Sequence, residues 1–219
     1  MRRVISLLGV VALMLFALGT AGAQDLPCDF LTGGGYIITT QSGSPAHGNF
    51  GVGGSCKQGG NGHGLWGHLE YHDHGTGLNL HWTRITAYGE VFTASDAKGR
   101  PIGTRLICGT ARTNQTPDEV NWAVTATDNG EPGKSNNDMF SIHVLELTYS
   151  QAGPVQGGNI QLHKANNSTG LFSDALPTAL NCPAGVPNEC ATDEDCPAPL
   201  VCGASRTCCI PGTVGCGID

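Results

Sequence analysis

The sequence has no C-x2-C pair, no H-E-x-x-H, no G-x-S-x-G and no long apolar run after Leu18. Each absence removes a class. Zinc-thiolate modules bring their cysteines in C-x2-C pairs. Helical metalloproteases place two histidines one turn apart around a glutamate, and α/β-hydrolases present serine on a glycine-flanked elbow. A permanent spanning helix needs about 20 apolar residues. Basic residues are scarce as well: 11 Lys and Arg stand against 18 Asp and Glu, a net charge of −7. Phosphate backbones and anionic membrane surfaces are held by clustered Lys and Arg, so neither nucleic acid nor a lipid surface is an expected partner. No 3.6-residue apolar period persists after the first segment, and no helix is expected.

What is there begins with a leader. Arg2 and Arg3 precede an apolar run from Val4 to Leu18, and Ala21-Gly22-Ala23 supplies the small residues of a cleavage site. Residues 1–23 are expected to be a secretory signal peptide, so the mature protein is expected to be secreted, or periplasmic, with no membrane anchor. All ten cysteines follow that segment: Cys28, Cys56, Cys108, Cys182, Cys190, Cys196, Cys202, Cys208, Cys209 and Cys216. An even number behind an export signal predicts disulfides formed in an oxidising compartment.

Short alternating runs separated by Gly, Asn and Asp fill the middle of the chain. Trp122, Val124 and Ala126 share one face, as do Phe140, Ile142 and Val144, and then Ile160 and Leu162. Further strands are expected within residues 35–39, 65–72, 78–88, 91–94 and 103–112. Seven to eight short strands of period two predict an all-β, antiparallel β-sandwich over residues 24–164. Residues 165–181 are polar and read as a linker. Residues 182–219 hold seven cysteines, and a segment that small needs cross-links in place of a core.

Three cysteines fall in the β-unit and seven in the tail, so pairing cannot close within either. The expected scheme joins Cys56 to Cys108 within the sandwich and Cys28 to Cys182 from entry to exit. Three bridges among the last six complete it, although six cysteines alone allow fifteen pairings.

The stretches TGGGYI (32–37), GNFGV (48–52), LNLHW (78–82), TATDNGEPG (125–133), DMFSIHV (138–144) and GGNIQLHK (157–164) occur in that order. In this combination, residues 30–164 resemble the post-COAP module, a β-rich domain of secreted and surface proteins. The resemblance implies a non-enzymatic extracellular module and brings no catalytic set or ligand with it. The tail, with Asp193, Asp195, Cys196 and Pro197, is similar to whey-acidic-type and Dickkopf-type repeats. Its cysteine spacing departs from both.

Residues 66–82, WGHLEYHDHGTGLNLHW, carry the densest potential chemistry. On a strand over 67–74, His68, Glu70, His72 and His74 share a face while Leu69 and Tyr71 take the other. After a Gly75-Thr76-Gly77 turn, Leu78, Leu80 and Trp82 alternate with Asn79, His81 and Thr83. Four imidazoles and Glu70 then share the outer face, where zinc or copper is the conceivable ligand. An open face without a pocket favours the plainer reading, a solvated strand surface.

Asp128, Asn129, Asn136, Asn137 and Asp138 flank a GEPGKS loop. They could hold calcium, but Asx residues more often build turns, and Lys134 opposes a cation, so calcium is not expected. Trp66, Tyr71, Trp82, Tyr88 and Trp122 could face a sugar. Alternation places Tyr71, Trp82 and Trp122 inside, leaving Trp66 and Tyr88 for the surface. No cofactor is expected. The chain reads as a secreted, non-catalytic interaction or structural module for an extracellular protein or polysaccharide. The alternatives are metal binding at the histidines and an inhibitor or ligand activity in the tail.

Overall fold

The computed structural model describes residues 27–56, 65–136, 138–171, 182, 201–202 and 208–209. The expected leader and the expected three bridges of the last six cysteines lie outside the described residues. Of the tail, two short strands are described, β10 (Val201–Cys202) and β11 (Cys208–Cys209), which pair antiparallel.

The chain is all-β and antiparallel. Nine strands run in order: β1 (Phe30–Thr39), β2 (Ala46–Cys56), β3 (Leu65–Asp73), β4 (Asn79–Ser95), β5 (Pro101–Thr113), β6 (Val120–Asp128), β7 (Met139–Val144), β8 (Tyr149–Pro154) and β9 (Gly157–His163). One helical turn, α1 (Gly133–Asn136), interrupts them, with a 3-10 turn at Leu145–Leu147. All nine form a single sheet, in the order β8-β7-β6-β5-β4-β3-β2-β1-β9. The strands are one more than the alternation predicts and lie in one curled sheet. Curling does what a second layer would do: it turns one face of the sheet upon itself.

Contacts across the interior show the curl. Phe50 on β2 stacks on Phe140 of β7 with ring centroids 3.9 Å apart, although four strands separate them in the sheet. The Tyr71 hydroxyl on β3 lies 2.7 Å from that of Tyr149 on β8. At the seam, β1 pairs with β9 from Phe30 to Tyr36, and Thr40 N donates to Gln151 Oε1 of β8 at 2.8 Å. Inside sit Leu31, Ile37, Val52, Leu69, Leu80, Ile107, Trp122, Val124, Ile142, Ile160 and Leu162, all buried. At about 25 cal/mol per Å2 of apolar area removed from water, side chains of this size contribute about 1.5–3 kcal/mol each.

Two strands escape the period-two reading. β2 reads AHGNFGVGGSC, with glycine where an inward side chain would stand. A Cβ on Gly54 would lie 2.6 Å from Tyr88 Cδ2 and 2.7 Å from Ile107 Cδ1, so side chains from β4 and β5 fill that volume. β8 is an end strand that carries Gly153 and ends in Pro154, a residue that sheets confine to edges. The two segments expected at 78–88 and 91–94 are one strand, β4.

The disulfides differ from the expected scheme. Cys28 bonds Cys56, with Cα atoms 5.8 Å apart, and Cys108 bonds Cys182 at 5.4 Å. Register explains the first: Phe30 pairs with Ser55, so the β1–β2 hairpin brings residues 28 and 56 side by side. Cys108 sits in mid-β5, three strands from β2, and its side chain is on the outer face with Ala87 and Ala123. Chain entry and exit do meet, but through backbone bonds: Cys28 N donates to Gly170 O and Gly170 N to Cys56 O, each at 2.8 Å.

Two buried polar networks lock the interior. Asp73, fully buried, accepts from Thr39 Oγ1 (2.9 Å), Gly75 N (2.8 Å), Thr76 Oγ1 (3.0 Å) and Tyr149 Oη (2.7 Å). Because Tyr149 spends its proton on Asp73, Tyr71 must be the donor to Tyr149. At the other end, the buried Arg105 guanidinium pairs with Asp29, which also accepts from Tyr88 Oη at 2.7 Å.

Candidate functional site

The hairpin β3–β4 presents the expected alternation. Leu69 and Tyr71 are buried, while Glu70 and His72 are exposed and His68 is half-buried. The five candidate ligands, however, lean in three directions. His68 turns toward β2: a Cβ on Gly53 would stand 2.9 Å from its ring, and Trp66 meets it edge-on at 6.1 Å. Glu70 turns the other way and pairs with Nδ1 of His81, its partner on β4. His72 lies against His74, ring centroids 4.2 Å apart, at the start of the turn. Among the described residues, no three His, Cys, Asp or Glu side chains are grouped to hold a metal ion. Both partners of the Glu70–His81 pair are more than half exposed, and such a pair adds about 1 kcal/mol or less.

The carboxylates flanking the 129–138 loop serve the backbone. Asp128 accepts from Gly130 N and Leu162 N, both at 2.7 Å. Asp138 accepts from Asn129 N at 2.9 Å and Ile160 N at 2.8 Å, fastening the loop to β9. Asn159 Oδ1 accepts from Gly133 N at 2.7 Å. This is turn construction. Burial pushes the Asp138 carboxyl up to about 6; the two backbone N–H groups act against it, and the charges of Asp128 and Glu131 add to it. Burial also raises Asp128. Asp73 goes the other way. Burial would raise it, but hydrogen bonds from Tyr149, Gly75, Thr39 and Thr76 outweigh that and hold it low.

Of the aromatics, Tyr71 and Trp122 are buried as alternation predicts, and Trp66 is 38% exposed. Tyr88 is a correction: it is fully buried, with its hydroxyl on Asp29. Trp82, expected inside, is only partly buried.

The reason for the exposure at Trp82 is a break in the sheet. β3 pairs with β4 only between Glu70–His72 and Asn79–His81. The register of β4 against β5 then shifts between Trp82 and Arg84, and again between Ile85 and Ala87. An extra residue in one strand bends it and ends pairing with its neighbour. Beyond the first bulge, β3 and β4 part and leave a cleft of about 180 Å3 lined by Leu65, Trp66, Gly67, Trp82, Thr83, Arg84 and Ile85. Thr83 is fixed by a 2.8 Å hydrogen bond to Thr110 on β5. Arg84 is exposed and forms no ion pair among the described residues.

The sequence reading named Trp66 and Trp82 but missed Arg84 and the cleft. A signal was present: the inward residues Leu80, Trp82, Ile85 and Tyr88 step by two, three and three, and each step of three marks a bulge. Comparison with protein-family models, with curated proteins and with solved structures finds no match to this chain.

Proposed function

We propose that the chain is an exported, non-catalytic interaction module that engages an extracellular partner through the outer side of β3 and β4. The observation that carries this reading is the bulge-opened cleft. The ladder between β3 and β4 stops at His81, and a built irregularity there brings the exposed Trp66, the partly buried Trp82 and an arginine to one cleft. Bulges gather where a sheet re-aims side chains for a task.

Other features support it. The buried carboxylates Asp73, Asp128 and Asp138 and the partly buried Asp29 have their oxygens engaged by structural partners, which leaves them poorly suited to acid–base work. Two disulfides suit an oxidising compartment. The sheet runs from Phe30 to His163, the span over which the sequence resembles the post-COAP module.

The test is retention of the purified mature protein on immobilised polysaccharides and on cell-envelope fractions. Saturable retention is expected. A protein that is retained on none of these surfaces, or that turns over a polysaccharide, refutes the reading.

A further inference from the structure

We propose that the cleft between β3 and β4 binds one acidic pyranose ring, a sugar unit carrying a carboxylate, at the end or within a glycan. This deepens the module reading above and rests on it.

Size excludes larger occupants. A cleft of about 180 Å3 lies below the ~300–1,000 Å3 of sites that enclose drug-sized ligands, so it accepts a single ring. A peptide strand inserted between β3 and β4 would need about 4.8 Å on each side. At the inner end of the cleft the two strands are in contact, a Cβ on the buried Gly67 standing 3.1 Å from Ile85 Cγ1, so no whole strand can pass between them there.

Chemistry then selects among small ligands. Trp66, 38% exposed, and the partly buried Trp82 line the cleft with indole rings, the kind of surface on which the C–H face of a pyranose packs. Where the two strands part, their facing edges form no ladder, so main-chain groups are placed beside the hydroxyls of a bound ring. Arg84 sets the sign. It stands at the cleft of a chain with net charge −7, where cations are few, and its planar fork matches a carboxylate with two parallel hydrogen bonds.

Tryptophan fluorescence of the mature protein, titrated with trigalacturonate, triglucuronate and sialyl-lactose against neutral cellotriose, tests the assignment. Saturable binding of at least one acidic sugar is expected, weakened about tenfold or more in Arg84→Gln and lost in Trp66→Ala. Cellotriose should bind more weakly and be indifferent to Arg84→Gln. Arg84→Lys, which keeps the charge and loses the fork, should fall between. Both side chains are exposed, so unchanged melting temperatures certify the variants as folded. Absence of saturable binding to all three acidic sugars overturns the proposal, as does binding unaffected by both substitutions. Envelope retention that persists unchanged in Trp66→Ala and Arg84→Gln removes the cleft assignment while leaving the module reading standing.

Discussion

Removing the buried charge pair at the sheet's closed end should destabilise the fold by an amount the structure bounds. The Arg105 side chain is fully buried. Its Nε lies 3.1 Å from Asp29 Oδ1, and Nη2 meets the other carboxylate oxygen. Nη1 donates to Phe92 O and Thr104 O at 2.8 Å each, and Nη2 to Thr93 Oγ1 at 2.7 Å. The pair therefore ties the entry of β1 to β5 and to the third bulge of β4, between Glu90 and Phe92. Breaking a buried pair by removing one partner costs about 3–5 kcal/mol, since the remaining charge is left without compensation. Asp29 is 14% exposed, so water relieves part of its penalty and the lower end, about 3 kcal/mol, applies to Arg105→Met. For a domain of this size that lowers Tm by about 6–12 °C. Asp29→Asn should cost less, about 2–3 kcal/mol, because Glu90 Oε2, 4.0 Å from Nη2, still faces the guanidinium. The double variant should be less destabilised than the sum of the singles by about 2 kcal/mol or more. Urea denaturation of the oxidised protein measures all three. Additive losses, or a neutral Arg105→Met, would refute the claim that these groups are energetically one unit.

Four further outcomes follow from the geometry. Non-reducing peptide mapping should link Cys28 to Cys56 and Cys108 to Cys182, and Cys108→Ser with Cys182→Ser should cost about 2–4 kcal/mol; a Cys56–Cys108 peptide would contradict the register argument. Tyr149→Phe should cost more than Tyr71→Phe, about 1–3 kcal/mol in urea denaturation, because only Tyr149 donates to Asp73; equal losses would break the assigned proton direction. Asp138, at about 6 when folded, and Asp128, also raised, take up protons more readily in the folded chain than in the unfolded one, where Asp titrates near ~3.9. Asp138 and Asp128 should therefore add stability as pH falls from about 7 to 5, against the opposing loss from His143 and His163, which burial holds low, and stability should decline below about 4 as Asp73, held low, is protonated; a pH dependence between 7.5 and 5 that Asp138→Asn leaves unchanged would refute the Asp138 contribution. Calorimetric titration with zinc should reveal no single site that needs both His68 and His81, since these lean toward opposite strands; one site abolished by His68→Ala and equally by His81→Ala would overturn that geometry.

Period two was a reliable guide wherever a strand itself alternates inward and outward side chains without an extra residue. β3, β5, β6, β7 and β9 were legible for that reason, as were the inward sets Trp122-Val124-Ala126 and Phe140-Ile142-Val144. β2 was not, because its inward glycines read as turn residues until Tyr88 and Ile107 are seen occupying their volume. Odd cysteine counts in the two halves correctly required a bridge between them, and Cys108–Cys182 is that bridge. Which cysteine crossed depended on register, and register follows from strand neighbours that lie far apart in sequence. The histidines shared a face as alternation requires, yet a shared face fixes only the side of the sheet. The tilt of each imidazole depended on what stood beside it: bare Gly53 for His68, Glu70 for His81.

The cleft follows from the same physics applied to a mismatch. Between Leu80 and Ser95, β4 spends sixteen residues opposite the thirteen of β5, Pro101 to Thr113, and the surplus is absorbed as three bulges. A bulge serves a strand poorly if its only role is to lengthen a ladder, because the unpaired residue must satisfy its backbone elsewhere. Two of the three here have identifiable returns. The bulge between Glu90 and Phe92 turns the Phe92 carbonyl onto Arg105. The one between Trp82 and Arg84 releases β3 from β4 and places Arg84 beside Trp66 and Trp82. Deleting Thr83 would restore period two from Leu80 to Ile85 and let β3 and β4 zip past His81. Such a variant should keep its core and lose its sugar, which separates the role of the irregularity from that of the side chains it exposes.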